Sequence, residues 1–280
     1  MEVYRTIAAI RAALQPLRTT GKKIGFVPTM GYLHEGHLSL VDIAKAHSDV
    51  VVMSIFVNPT QFGPNEDLER YPRDFARDEH LACERGTDFI FYPEVAEMYP
   101  EPFFTYVVTE KLSKVLCGVS RPTHFRGVTT VVAKLFNIIQ PDVAVFGRKD
   151  AQQAIIIQQM VRDLNFPVKI ILGPIVREPD GLAMSSRNVY LTPEERSQAP
   201  LIFQTLQEAR QAVERGERNV ATIRNLIETG IKRLPLARID YIEIVDGENL
   251  QRVDEIHPGT FAAVAVYLGK TRLIDNQVLM

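Results

Sequence analysis

The stretch Ile24-Gly25-Phe26-Val27-Pro28-Thr29-Met30-Gly31-Tyr32-Leu33-His34-Glu35-Gly36-His37 decides the architecture. Its first four residues are a short apolar run closed by Pro28, which predicts a strand. Beyond the loop, Leu40, Ile43 and Ala44 recur at helical spacing to about His47. The next run, VVVMSIFV at 50–57, is almost uniformly apolar and β-branched. A parallel strand covered on both faces has that composition. Segments 89–92 and 143–146 repeat it, each after a helical stretch, and 168–172 adds another candidate. This alternation predicts an α/β fold with a Rossmann-like, doubly wound parallel sheet over residues 1–175. Ahead of it, Ile7, Ala8, Ile10 and Leu14 predict one helix over 2–17, ended by Gly21.

After Gly173-Pro174 the character changes, and residues 176–280 read as a smaller α+β C-terminal domain. Thr192, Pro193 and Glu195 make a capping box that starts a helix running to about Arg215 and stopping at Gly216. A second helix is expected from about Val220 to Lys232. Strands are expected at 239–245 and 261–268, with Asp246-Gly247 turning the first.

Composition narrows the function. Apolar residues make up 46% of the 280 and charged ones 24%, enough for a real core. A net charge of −2 argues against gripping a nucleic-acid backbone through bulk charge. Cys83 and Cys117 are far apart and in no CxxC pattern, so reduced thiols in a cytoplasmic protein are expected rather than a disulfide scaffold. The N-terminus has no signal-peptide core, and no apolar run approaches the ~18–20 residues of a membrane span.

Ligands of open parallel sheets bind beyond the carboxyl ends of the strands. Three clusters fall there. In the first, Gly31 and Gly36 permit tight paths, and His34 and His37 share a face of the first helical turn. Two imidazoles at a helix N-terminus suit phosphate oxygens. The alternatives are a capping histidine beside a surface one, or a zinc site lacking an obvious third ligand. In the second, Phe146-Gly147-Arg148-Lys149-Asp150-Ala151-Gln152-Gln153, Lys149 can set a charge over a phosphate. Asp150 and Gln153 can hold a ribose or a polar substrate; an ordinary solvated turn is the other reading. In the third, Gly181 to Asn188, hydroxyls of Ser185 and Ser186 beside Arg187 suit phosphate recognition, against a plain surface loop. No GxSxG elbow supports a serine nucleophile. Between the clusters lie Asn58-Pro59-Thr60-Gln61-Phe62 and His124-Phe125-Arg126-Gly127. Gln61 and Gln153 can bind carboxylates and hydroxyls without adding charge, and Asp78 can ligate magnesium.

The order of these motifs carries a resemblance. PTMGYLHEGH is similar to the HIGH signature of class I aminoacyl-tRNA synthetases and related nucleotidyltransferases, and AMSSRN to their mobile KMSKS loop. With FVNPTQF, YPR, HFRGV and FGRKDAQQ between them, residues 24–191 resemble the pantothenate synthetase family. The resemblance implies a homodimeric, cytoplasmic, ATP- and Mg²⁺-dependent ligase that joins pantoate to β-alanine through a pantoyl adenylate. It implies that Met30, Gly31, Tyr32, Leu33, His34, Glu35, Gly36 and His37 line the ATP site, with His37 the catalytic histidine. Gly147, Arg148, Lys149, Asp150, Val176, Met184, Ser185, Ser186 and Arg187 complete the ATP contacts. Catalytic roles fall to His34, His37, Lys149, Ser186 and Arg187. Gln61 and Gln153 hold pantoate, Gln61 also near β-alanine, with Asn58 and His124 as further substrate contacts. Arg148 departs from the uncharged or acidic residue frequent there, and activity is expected despite it.

Two other functions fit parts of the pattern. A related nucleotidyltransferase would act on a phosphate ester; the glutamine pair favours a carboxylate. A nucleotide- or tRNA-binding relative without catalysis would lack reason to keep His34, His37, Lys149 and Arg187. The balanced charge and the absence of an anticodon-binding appendage count against tRNA.

Overall fold

Six parallel strands form the sheet, five of them at the apolar runs that predict it, in a computed structural model that describes residues 1–64 and 66–280. In chain order come β1 (Glu2–Tyr4), α1 (Ile7–Thr19), β2 (Ile24–Thr29), α2 (Glu35–His47) and β3 (Val50–Ile55). Then follow α3 (Phe75–Glu84), β4 (Phe89–Phe91), the short α4 (Val95–Met98) and α5 (Cys117–Ser120), and α6 (His124–Ile139). β5 (Val143–Gly147), α7 (Ala151–Asp163) and β6 (Lys169–Gly173) complete this part.

The strand order is β1-β4-β3-β2-β5-β6. From β2 the chain winds outward through β3 and β4, then returns to lay β5 on the other edge of β2 and β6 beyond it. That reversal is a topological switch point, where the loops after β2 and β5 part and leave a crevice. Alternate strand residues feed the two faces. Phe26, Val52, Ala144 and Phe146 pack with α1, α6 and α7, while Val27, Val51, Met53 and Val145 pack under α2 and α3. Cover on both faces is why the strands read as unbroken apolar runs. Residues 2–17 are not one helix. Glu2–Tyr4 pairs with β4 as an edge strand, and Thr6 starts α1 by accepting the Ala9 amide at 3.2 Å.

The second part has its own apolar core. It packs α8 (Pro193–Gln198), α9 (Pro200–Glu214) and α10 (Val220–Lys232) on an antiparallel sheet of β7 (Ala237–Asp246), β8 (Thr260–Leu268) and β9 (Thr271–Val278). The expected boundary at 175/176 falls between the end of β6 and Leu182, the first residue of that core. The capping box forms: Thr192 Oγ1 accepts the Glu195 amide at 3.3 Å and Glu195 Oε2 the Thr192 amide at 2.9 Å. The helix it opens breaks at Ala199, because Pro200 has no N–H to continue the ladder. Strand β9 lies outside the sequence expectations, since its consecutive buried Asp275 and Asn276 spoil the alternation that marks a strand.

Helix α6 crosses the turn after β3 at Gly127. A Cβ there would sit 2.4 Å from the Thr60 carbonyl oxygen and 2.6 Å from the Gln61 Cα. Backbone atoms cannot swing aside, so Gly127→Ala is expected to cost ~1–3 kcal/mol by overpacking. Urea unfolding followed by circular dichroism measures it, and an unmoved midpoint would contradict the contact.

Candidate active site

The loop from β2 to α2 is built around two left-handed residues, Gly31 (φ 80°) and Tyr32 (φ 50°). A side chain at 31 would strike Asp78 Oδ2 at 2.8 Å and Ile55 Cγ2 at 2.9 Å, so glycine is required. The buried Asp78 carboxylate then accepts the Tyr32 amide at 2.6 Å and the Leu33 amide at 2.7 Å. His34 caps α2: its Nδ1 accepts the Gly36 amide at 3.1 Å, which puts the single proton of the neutral ring on Nε2. The ring folds so closely over the helix start that a Cβ on residue 36 would lie 2.8 Å from His34 Cε1. His37, one turn on, packs beside it with ring centroids 4.1 Å apart and the planes tilted by 34°.

Beyond β3, the turn 58–61 is organised by Asn58. Its Oδ1 accepts Tyr99 Oη at 2.8 Å and Thr60 Oγ1 at 2.9 Å, and its Nδ2 donates to Gln61 Oε1 at 3.2 Å and the Gly127 carbonyl at 3.1 Å. The Asn58 amide is committed to these four partners, so it positions Gln61, and Asn58 itself lines the cleft. His124 Nδ1 donates to the Gln61 carbonyl at 2.9 Å, leaving Nε2 as its remaining acceptor. The adjacent glutamines divide their work. Gln152 holds the 112–117 segment, donating to Leu112 and Val115 carbonyls and accepting the Cys117 amide, which leaves Gln153 as the uncommitted amide at the cleft wall.

Two cationic loops close the arrangement. Residues 148–150 form a single 3₁₀ turn after β5, with Lys149 Nζ 3.9 Å from Asp150 Oδ1. Residues 186–190 form another, capped by Ser185, and Ser186 Oγ donates to the Tyr32 carbonyl at 3.2 Å, joining this loop to the histidine loop. Arg187 forks onto Asp67 at 2.8 and 3.0 Å, with its guanidinium carbon 5.6 Å from the Tyr71 ring centre. Arg121 forks in the same way onto Glu66. Glu66 and Asp67 lie outside the sequence reading, their one signal being their place between FVNPTQF and YPR, and Tyr71 is the tyrosine of YPR.

A cleft of about 1130 Å³ lies between the loops, lined from both parts of the molecule. Met30, His34, Gly36, His37, Gln61, His124, Gly147, Lys149, Asp150 and Gln153 line it from the parallel-sheet side. Val176, Met184, Ser185, Ser186 and Arg187 line it from the other, as the motif order implies. Gly31, Tyr32, Leu33, Glu35 and Arg148 do not line it. Leu33 is fully buried in the core, Glu35 pairs with Arg85 on the outer surface, and Arg148 is exposed. Asp78 does not fit a magnesium ligand: it is 1% exposed and both oxygens hold backbone amides. Among the described residues no group of three or more His, Cys, Asp or Glu is placed to hold a metal, zinc at the HxxH pair included.

Known proteins share this arrangement over the whole chain. The family model described as pantoate-beta-alanine ligase matches residues 2–278. A pantothenate synthetase of Moorella thermoacetica is 57% identical over 279 residues, covering 100% of this chain and 99% of its own. The chain belongs to the pantoate–β-alanine ligase family. Among solved structures, pantothenate synthetase from Thermus thermophilus superposes with a TM-score of 0.95 at 47% identity, covering 100% of this chain and 99% of that one. The pantoate–β-alanine ligase of Francisella tularensis, complexed with β,γ-ATP and β-alanine, superposes at 0.81 with 35% identity, over 100% and 98%.

In this member of the ligase family the three cleft histidines are neutral. Burial, with Lys149 nearby, lowers the His34 pKa to about 4. Burial, then His34 and Lys149, hold His37 well below the usual 6.5. Burial beside Arg121 brings His124 to about 4. The unfolded chain therefore binds more protons than the native one between about pH 6.5 and 4, so stability falls as pH drops through that window and is level above it. Paired Glu66 and Asp67, held low by Arg121 and Arg187 despite their burial, add their loss only at lower pH. The urea midpoint is expected to drop from pH 7 to pH 5, and His124→Gln to flatten that slope. An equal slope in the variant would remove His124 from the account.

Proposed function

We propose that the protein condenses pantoate with β-alanine, using ATP, through a pantoyl adenylate. The observation that carries this reading is the meeting, at the switch point, of Lys149, Arg187 and the paired histidines with two uncharged amides, Gln61 and Gln153. Cations and neutral imidazole donors suit a triphosphate. Amides suit an acid whose own charge has to remain available for attack. In the first step a pantoate carboxylate oxygen bonds to the α-phosphorus and the bond to the β-phosphate oxygen breaks, releasing pyrophosphate. The carboxylate is ionised at neutral pH, so the step needs no general base. It needs two anions aligned and the departing charge neutralised.

We assign His34, His37, Lys149, Ser185, Ser186 and Arg187 to the triphosphate, and Met30, Gly36, Gly147, Asp150, Val176 and Met184 to the rest of ATP. Arg187 would exchange Asp67 for phosphate oxygens. In the second step the β-alanine amine attacks the acyl carbon, loses a proton, and AMP leaves; His124 Nε2 and Gln61 stand where that amine can be held. Mg²⁺, when bound, would neutralise phosphate charge. The donor set favours an ion carried by the phosphates over one caged by side chains.

The free thiols Cys83 and Cys117 fit a reducing, cytoplasmic setting. No helix among the described residues is long and apolar enough to cross a membrane. A homodimer is supported by residues 103–109, an irregular segment where Phe104, Tyr106 and Val108 are 84%, 42% and 52% exposed. Such an exposed apolar patch suits association. Phe104→Glu is expected to shift sedimentation from dimer to monomer; a monomeric parent would end the dimer proposal.

ATP–pyrophosphate exchange, with pantoate present and β-alanine absent, tests the chemistry. Exchange that depends on pantoate, and AMP release on adding β-alanine, are expected. Exchange with another acid would keep the mechanism and move the substrate. His37→Ala and Lys149→Ala are each expected to slow single-turnover adenylation by ~10²–10³; near-parental rates would sink those roles.

A further inference from the structure

Successive side chains of a strand point to opposite faces, so two consecutive buried polar residues must serve two different neighbours. β9 carries such a pair in Asp275 and Asn276, 6% and 8% exposed. Asn276 Nδ2 donates both hydrogens, at 2.9 Å each, to the carbonyls of Arg148 and Lys149. A primary amide carries the two hydrogens on one atom that this contact uses. The turn that carries Lys149 is thus held by a residue from the other sheet.

Asp275 works on the other side. Its carboxylate takes the fork of Arg177 at 2.6 and 3.0 Å. Arg177 also donates to the Gly181 carbonyl at 3.1 Å and lies 3.5 Å over the Phe203 ring. The segment 176–184 is closed by Glu178 N to the Leu182 carbonyl at 2.8 Å and Met184 N to the Val176 carbonyl at 3.0 Å. Ser185, Ser186 and Arg187 follow directly. Finally, Asp275 Oδ1 accepts the backbone amide of Asn276 at 2.8 Å, tying the two contacts together.

We infer that Asp275 and Asn276 are positioning residues, and that β9 is the strut that sets the Lys149 turn and the Ser185–Arg187 loop against one another. The inference rests on the reading of Lys149 and Arg187 as phosphate ligands. Two cations from separate loops must meet one triphosphate, and misplacement by about 1 Å costs on the order of 10²-fold in rate. A shared strut fixes their separation without touching a reactant.

A double-mutant cycle in the full-length protein tests it. Asn276→Ala is expected to slow single-turnover adenylation ~10–10²-fold while pantoate KM stays within about twofold. Lys149→Ala should then cost far less in the Asn276→Ala background than alone, because the turn is already adrift. Asn276→Ser, keeping one donor, should fall between, and replaces Asn276→Ala if thermal melts find that variant unfolded. Asp275→Asn should couple to Arg187→Ala in the same manner. Additive penalties, or a loss of pantoate affinity matching the loss of rate, would overturn the inference while leaving the cation roles intact. A parental rate for Lys149→Ala alone would instead overturn the phosphate reading and this inference with it.

Discussion

Two amide hydrogens on one buried carboxylate hold the site in place. Asp78 accepts the Tyr32 and Leu33 amides at the point where the chain passes through left-handed conformations at Gly31 and Tyr32. Burial pushes the Asp78 carboxyl up from its ordinary range, while the two amides and Arg77 pull it back. The balance is what a buried carboxylate needs in order to keep accepting. Everything downstream follows from the direction this loop imposes on α2. His34 can cap the helix only from that entry angle, and His37 packs on it only because it lies one turn further along. Ser186 reaches the same loop through the Tyr32 carbonyl, so the second half of the cleft is registered on this contact as well.

The electrostatics have the form of an exchange. Arg187 rests on Asp67, Arg121 on Glu66, and Lys149 lies near Asp150. Burying unpaired cations would be costly, so each is held beside an acid; in the proposed reaction Arg187 would exchange its acid for the triphosphate. The histidines contribute differently. Kept neutral by burial and by Lys149, with His34 acting on His37 as well, they add donors without adding charge near neutral pH. His37 Nδ1 is buried without a hydrogen-bond partner, a cost that a purely structural histidine would have no reason to carry.

Much of this was legible in the sequence, for identifiable reasons. A strand covered on both faces cannot hide among polar residues, so 50–57 and 143–146 announced the sheet. Pro after a threonine and before Glu195 announced the capping box. The first two motif clusters sit at the ends of β2 and β5 because the switch point puts them there, and the third meets them from the second part of the molecule. What failed to read was contact between distant segments. Asp78 has the composition of a metal ligand and the job of a backbone anchor, and only the fold brings it to the β2–α2 loop. That Asn58 ties Tyr99, Thr60, Gln61 and Gly127 together is likewise visible only in the fold. β9 escaped because a strand serving two neighbours abandons alternation at the very residues that matter.

That last failure bears on how the two parts of the molecule work together. A nucleotide site divided between two sheets can be held by broad apolar packing or by a few directional bonds. The two large apolar cores are distinct and the cleft lies between them, while a smaller apolar cluster of Leu116, Ile155, Val245, Leu250, Phe261 and Ala263 joins the two parts. Directional bonds such as Asn276 to the 148–149 carbonyls and Ser186 to the Tyr32 carbonyl add register between the loops to that packing. Hydrogen bonds of this kind contribute modestly to stability, ~0.5–1.5 kcal/mol each, but their geometry is strict. In the proposed reaction this register would serve the alignment of two anions and the shelter of a hydrolysable adenylate.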